Sequence, residues 1–177
     1  QHLRRKFPAP SAKSPALSAK SQHPTAKLPA PYAYNSSSMS HLTTTELEAG
    51  VRHVREAPKD HGVLAMIVRR PKIGVRDVLD EAELNLVEGL AGDTWRERRS
   101  TRTADGSPHP DMQLNIIGAR AVDLVARDKS RWPLAGDQLI IDLDLSGANL
   151  PPGTRLAIRS AVIEVTAHPQ PWSAKFI

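Results

Sequence analysis

Cysteine is absent from this chain of 177 residues, and with it go disulfides, thiolate metal sites and cysteine nucleophiles. Aromatic residues are scarce, at 4%, so any core must rest on Val, Ile, Leu and Ala. Long apolar runs are missing too. GVLAMIV at Gly62–Val68 falls far short of the roughly 20 residues that span a bilayer. The seven histidines include no H-E-x-x-H pair and no finger-like spacing, which leaves a zinc hydrolase without support. These absences predict a reducing, cytoplasmic setting with no membrane partner.

Acid is missing from residues 1–38, which carry Arg4, Arg5, Lys6, Lys13, Lys20 and Lys27. Taking those six cations from the formal net charge of +5 leaves −1 for residues 39–177. The basicity therefore belongs to the N-terminal segment, and the nearly neutral body gives no reason to expect a nucleic-acid partner. Residues 1–38 are rich in Pro, Ser, Ala and Lys and have no hydrophobic periodicity. Such a segment cannot offset its ordering entropy by burial and is expected to be a disordered tail. It is loosely like a transit peptide. Met39 directly precedes organised sequence, so it reads as the natural start, with one domain over residues 39–177.

What is there is a series of short elements. Thr45-Glu46-Leu47-Glu48 suggests a capping box for a helix that ends before Pro58, with Leu47, Val51 and Val54 on one face. GVLAMIVRRP predicts a buried strand, and VRDVLDEAELNLVEGL predicts two short ones. GLAGDTW is a glycine-punctuated loop. MQLNII (Met112–Ile117) predicts a strand, followed by a helix with Ile117, Ala121, Leu124 and Val125 on one face and broken at Trp132-Pro133. DQLIIDLDL, TRLAI and AVIEVT predict three further strands, with a turn at Pro151–Gly153. Many short strands, two helices and no βαβ rhythm indicate a mainly β fold, a barrel with peripheral helices.

Five stretches, IVRRPKIGVRDVL, EGLAGDTW, PHPDMQLNIIGARA, GDQLIIDLDLSGANLPPGTRLAI and AVIEVT, occur in the order and spacing of one family. Together they resemble the MOSC domain, the C-terminal domain of molybdenum-cofactor sulfurases, which also occurs alone. The resemblance covers Gly62 to Phe176. It implies a β-barrel whose cleft binds the molybdenum cofactor (molybdopterin), a pterin dithiolene with a phosphate, and relations with a molybdoenzyme or sulfurase partner. Pyridoxal phosphate belongs to the separate sulfurase domain and is not expected in this chain.

After the EVT strand the family has a pattern like P-H-T-G-C-x-K-F, whose cysteine handles sulfur. Here AHPQPWSAKF matches at Pro169, Lys175 and Phe176, while Gln170, Trp172 and Ser173 replace the histidine, glycine and cysteine. A serine hydroxyl forms no persulfide and needs an adjacent base to act as a nucleophile. Ser173 therefore makes sulfur transfer doubtful, and the resemblance leaves two readings open: an impaired enzyme, or a silent cofactor-binding or carrier module. A non-functional fragment is a third. The family continues for several strands beyond this motif. A barrel incomplete at its C-terminus is thus expected, with an open sheet edge at AVIEVT that invites self-association.

The candidate cofactor-binding residues follow from the matched segments. Arg70 and Arg76 suit a phosphate. RERRSTR (Arg96–Arg102) reads as a solvated loop. Gly92 and Asp93 either bring loop amides to the pterin or form a tight turn capped by Asp93. Gln113 and Asn115 share a face of the expected strand, turned to a cleft or to water. Asn149 serves a ligand or its own backbone, and Lys175 is the best single cation for an anionic ligand. No protein ligand to a metal is predicted.

Overall fold

The computed structural model of the chain describes residues 41–167. The expectation of a disordered tail at residues 1–38 lies outside the described residues, as do the candidate residues Ser173 and Lys175. Helix α1 spans Thr44–Arg55 and ends before Pro58 as its sequence predicts. Its capping box sits two residues earlier than expected. Thr43 Oγ1 accepts from Glu46 N at 3.2 Å, and Glu46 Oε2 accepts from Thr43 N at 2.8 Å. Three successive threonines offer the same chemistry. The one three residues before Glu46 closes both bonds.

Eight strands follow among the described residues. They are β1 (Val63–Arg69), β2 (Asp77–Leu79), β3 (Leu84–Asn85), β4 (Gly89–Leu90), β5 (Ile116–Gly118), β6 (Leu139–Asp142), β7 (Arg155–Ile158) and β8 (Ala161–Glu164). Helix α2 (Ala119–Ala126) and a 3-10 segment at Lys129–Ala135 lie between β5 and β6. The main sheet has the order β2-β1-β6-β5, while β3–β4 and β7–β8 are separate two-stranded sheets. Strand β1 is antiparallel to β2 and β6, and β5 runs parallel to β6. The link from β5 through α2 to β6 is therefore a βαβ crossover, which the sequence pattern did not suggest.

Both faces of the main sheet are covered, which explains the nearly continuous apolar runs of β1 and β6. On one face Val68 and Ile140 pack with Ala119, Val122, Ala126 and Trp132. On the other, Ile67, Leu139 and Ile141 pack with Leu90, Leu143 and Leu150. This second layer is extended by residues that stay only partly buried, among them Leu84, Leu114, Leu156 and Ile163.

The described residues form three small sheets with a few helices and no closed barrel, where an incomplete one is expected. Three expectations of individual elements are corrected. The expected strand Met112–Ile117 is mostly something else: Pro110–Met112 is a 3-10 turn capped by His109, and the strand starts only at Ile116. Helix α2 buries Ala119, Val122 and Ala126, whereas Val125 is exposed and Ile117 belongs to β5. Small side chains let this helix approach the sheet closely, and large apolar residues drew the sequence reading to a different face. The segment VRDVLDEAELNLVEGL holds three short strands rather than two, of which β2 pairs with β1 and β3 with β4.

Candidate functional site

Two regions collect the residues singled out by the sequence. The first begins where β1 ends. Arg69 and Asp77 are register partners across the β1–β2 ladder, and Arg69 Nη2 meets Asp77 Oδ2 at 2.9 Å. The next residue, Arg70, turns inward. Its guanidinium forks onto Asp93, with Nε to Oδ2 at 2.8 Å and Nη2 to Oδ1 at 2.8 Å. Arg70 N also donates to Asp93 Oδ2 at 2.9 Å, and Arg70 Nη1 donates to Gly136 O at 2.8 Å. The side chains of this pair are 4% and 0% exposed. A charge pair so far from water survives only when its remaining donors and acceptors are met, as they are here.

The loop EGLAGD is shaped to deliver Asp93. Gly92 has φ +75°, and a Cβ there would lie 3.3 Å from Arg69 Cδ. Glycine therefore relieves both the left-handed backbone and the close passage. Asp93 then caps the 3-10 turn Thr94–Glu97 by accepting from Trp95 N at 2.9 Å. The tight turn capped by Asp93 is present. Asp93's oxygens face Arg70 and the cap.

Arg70 stands beside Arg76 and Arg98. Burial lowers the Arg76 pKa, Arg70 lowers it further, and Asp93 opposes both. Arg98 is lowered by burial, then by Arg70 and, more weakly, by Arg76, with Asp93 opposing. Arg98 donates to Thr94 Oγ1 from Nε at 3.3 Å and Nη2 at 3.2 Å. Arg76 Nη1 donates to Val75 O at 2.8 Å, while its buried Nε has no partner. Three guanidiniums thus share the charge of Asp93. Arginine does not deprotonate in proteins, so the excess is positive.

The second region is a cleft of ≈ 580 Å³ between the β3–β4 hairpin, the 110–116 segment and the β7–β8 hairpin. Its floor is apolar, with Leu84, Leu114, Ile116, Leu156, Ile163 and Val165. Its polar lining is Asn85, Asp111, Gln113, Glu164 and Thr166. Gln113 does face the cleft and donates from Nε2 to Leu86 O at 2.8 Å. Asn115 does not line it. Because these residues precede the strand, they do not alternate on one strand face. Asn115 Oδ1 is buried without a partner. Asn149 lies elsewhere, donating from Nδ2 to Lys59 O at 2.9 Å and Asp144 O at 2.8 Å, so it ties its own loop to the segment before β1.

The sequence reading missed the residue that joins the two regions. Gln138 is fully buried. Its Nε2 donates to Gln113 O at 3.3 Å and lies 3.4 Å from Asp93 Oδ1, while its Oε1 accepts from Asn115 N at 2.9 Å. The only signal in the sequence was a polar residue heading the apolar strand QLIID. It missed Asp137 as well, a half-buried carboxyl that burial pushes up to about 6 against the pull of Arg70.

Among the described residues no group of three or more His, Cys, Asp or Glu is arranged to hold a metal ion. No described helix is long and apolar enough to cross a membrane. Compared with known protein families, with characterised proteins and with solved structures, the chain matches none of them.

Proposed function

We propose that this chain is a molybdenum-cofactor-binding protein of MOSC type, and that it holds the cofactor as a carrier or as the remnant of a sulfur-transfer or reductive enzyme. The observation that carries this reading is convergence. Four of the five resembling segments supply walls of the ≈ 580 Å³ cleft: Gly89; Asp111, Gln113 and Leu114; Leu145, Leu150 and Leu156; and Ala161–Thr166. The fifth supplies Arg70 and Arg76. The volume lies within the range of small-molecule sites.

The residues suit the organic part of the cofactor. Leu84, Leu114, Leu156 and Ile163 offer apolar surface to the faces of a pterin. Asn85, Gln113, Asp111 and Glu164 offer acceptors and donors to its polar edge. Its phosphate calls for positive charge, and Arg76, with a buried unpartnered Nε in the field of Arg70 and Arg98, would take it. When bound, the cofactor supplies a redox-active metal held by sulfur. The chain has no cysteine to add a thiolate to it. Ser173 cannot form a persulfide, which favours the carrier over the sulfur-transfer enzyme. The MOSC-type barrel, the pyridoxal-free chemistry and a molybdoenzyme or sulfurase partner belong to this same reading.

The test is direct binding. The full chain is mixed with molybdopterin released from a molybdoenzyme, separated by gel filtration, and assayed for the fluorescent oxidised pterin. Co-elution that is lost in Arg76→Gln and weakened in Gln113→Ala is expected. Absence of pterin from the protein peak at saturating cofactor would refute the proposal.

A further inference from the structure

Strand β1 is longer than its neighbour β2, and the difference leaves a free edge. On one side β1 pairs with β6 from Val63 to Ile67. On the other, β2 reaches only Ile67, Val68 and Arg69. Continuing that register would set Met66 opposite Asp80 and Leu64 opposite Ala82. The chain leaves the ladder after Leu79 instead. Among the described residues no strand pairs with Val63–Met66 on this side.

A second cavity, of ≈ 490 Å³, lies where the two segments part. Its lining includes both of them, Leu64–Met66 and Asp80–Ala82, together with the β7–β8 turn at Ile158–Ala161. Only Leu84 and Ala161 are shared with the larger cleft, so the cavity does not depend on what that cleft holds.

We propose that this cavity is a docking site for an extended, uncharged peptide of a partner protein, which adds as a short strand to the free edge of β1. The backbone supplies the first reason. Val63–Met66 measures about 13 Å at roughly 3.3 Å per residue, room for a four-residue strand. Amides and carbonyls along such an edge are met in register by another extended backbone. Packing supplies the second. Leu64 and Ile67 belong to the layer of Leu90 and Leu139, which brings Leu84 and Ile158 to the cavity as well. An added strand continues that layer, so it needs apolar side chains at alternate positions. Charge supplies the third. Asp80 and Glu81 are balanced in the lining by Lys129 and Arg159. A wall with two charges of each sign offers nothing to a polyanion or a polycation, and an uncharged chain suits it best.

The probe is the end-blocked hexapeptide Thr-Val-Thr-Val-Thr-Val, added to the isotope-labelled full chain. Amide cross-peaks of Leu64–Met66 should shift saturably, with nuclear Overhauser contacts between the peptide backbone and β1. Methylating the peptide nitrogens that face β1 removes donors only, and should weaken binding at least about tenfold, the worth of one or two hydrogen bonds. Ala82→Trp fills the cavity and should abolish the shifts. Should that variant fail to fold, the methylated peptide decides by itself. No shift at Leu64–Met66 up to the solubility limit of the peptide would overturn the proposal, as would equal binding of its methylated form. Contacts to this edge from another part of the chain, or from a second copy, would overturn it too. A peptide with Asp in place of Thr that binds at least about tenfold tighter would replace the uncharged partner with an acidic one, and so reject the proposal.

Discussion

Asp93 receives hydrogen bonds from Arg70 N, Nε and Nη2 and from Trp95 N, so one side chain ties the end of β1 to the glycine loop. Replacing it with asparagine keeps the shape and strands a buried guanidinium. Asp93→Asn should lose about 3–5 kcal/mol in a urea unfolding curve, the range for breaking a buried pair from one side. A loss under about 1 kcal/mol would mean that water reaches Arg70 freely. The two carboxyls also impose opposite pH dependences. Asp93 is lowered in the fold, so its contribution is present above its unfolded value and is lost as the pH falls through the folded one. Asp137 is raised to about 6, so the unfolded chain gives up that proton first and stability declines between about pH 4 and 6. Asp137→Asn should therefore stabilise the protein by on the order of 2 kcal/mol above that window and change little below it. Equal effects at both ends would exclude the linkage.

At the scale of elements, α1 buries no residue completely, so its local signals matter more than usual. Thr43→Ala removes one half of the capping box and should cost about 1 kcal/mol, with a measurable loss of helical circular dichroism. An unchanged spectrum and melting curve would mean that packing against α2 holds the helix by itself. Gly62 precedes β1 at a crowded point. A Cβ there would stand 2.7 Å from Asp142 O and 2.9 Å from Leu143 Cβ. Backbone cannot yield as a side chain can, so Gly62→Ala should cost about 1–3 kcal/mol and loosen the β1–β6 ladder. The elements differ in how well their sequences announced them. Strands β1 and β6 were legible because both faces are buried and the apolar run is unbroken. The segment before β5 misled because Met112, Leu114 and Ile116 alternate like a strand, while the His109 cap and Pro110 set a 3-10 turn instead. In α2, Leu124 looked like a residue facing the sheet. It lies against Gly50 of α1, where an added Cβ would fall within 3 Å of its side chain.

For the whole molecule, the β7–β8 hairpin is the least supported part among the described residues. Its strands pair only with each other. Arg155 and Glu164 face each other across the ladder with Nε–Oε2 at 3.2 Å, an exposed pair worth little. Large apolar side chains stay in water near the cleft, with Val162 66% and Leu86 92% exposed. Amides of β8 should therefore exchange at least about tenfold faster than those of β1 and β6, since local opening there breaks few buried contacts. Uniform protection across all three strands would show that another part of the chain, or a second copy, covers the hairpin edge.

The sequence by itself determined the charge segregation, the lack of any thiol, the existence of most strands and a glycine-punctuated loop at Gly89–Asp93. Each of these depends on composition or on neighbours a few residues apart. Only the tertiary structure decided that Arg70 would meet Asp93 twenty-three positions away and that Gln138 would link that pair to Gln113. It also decided that Asn149 would spend its amide on Lys59 and Asp144. A buried polar side chain takes its role from whichever unmet donor or acceptor the packed chain brings beside it, and no periodicity records that.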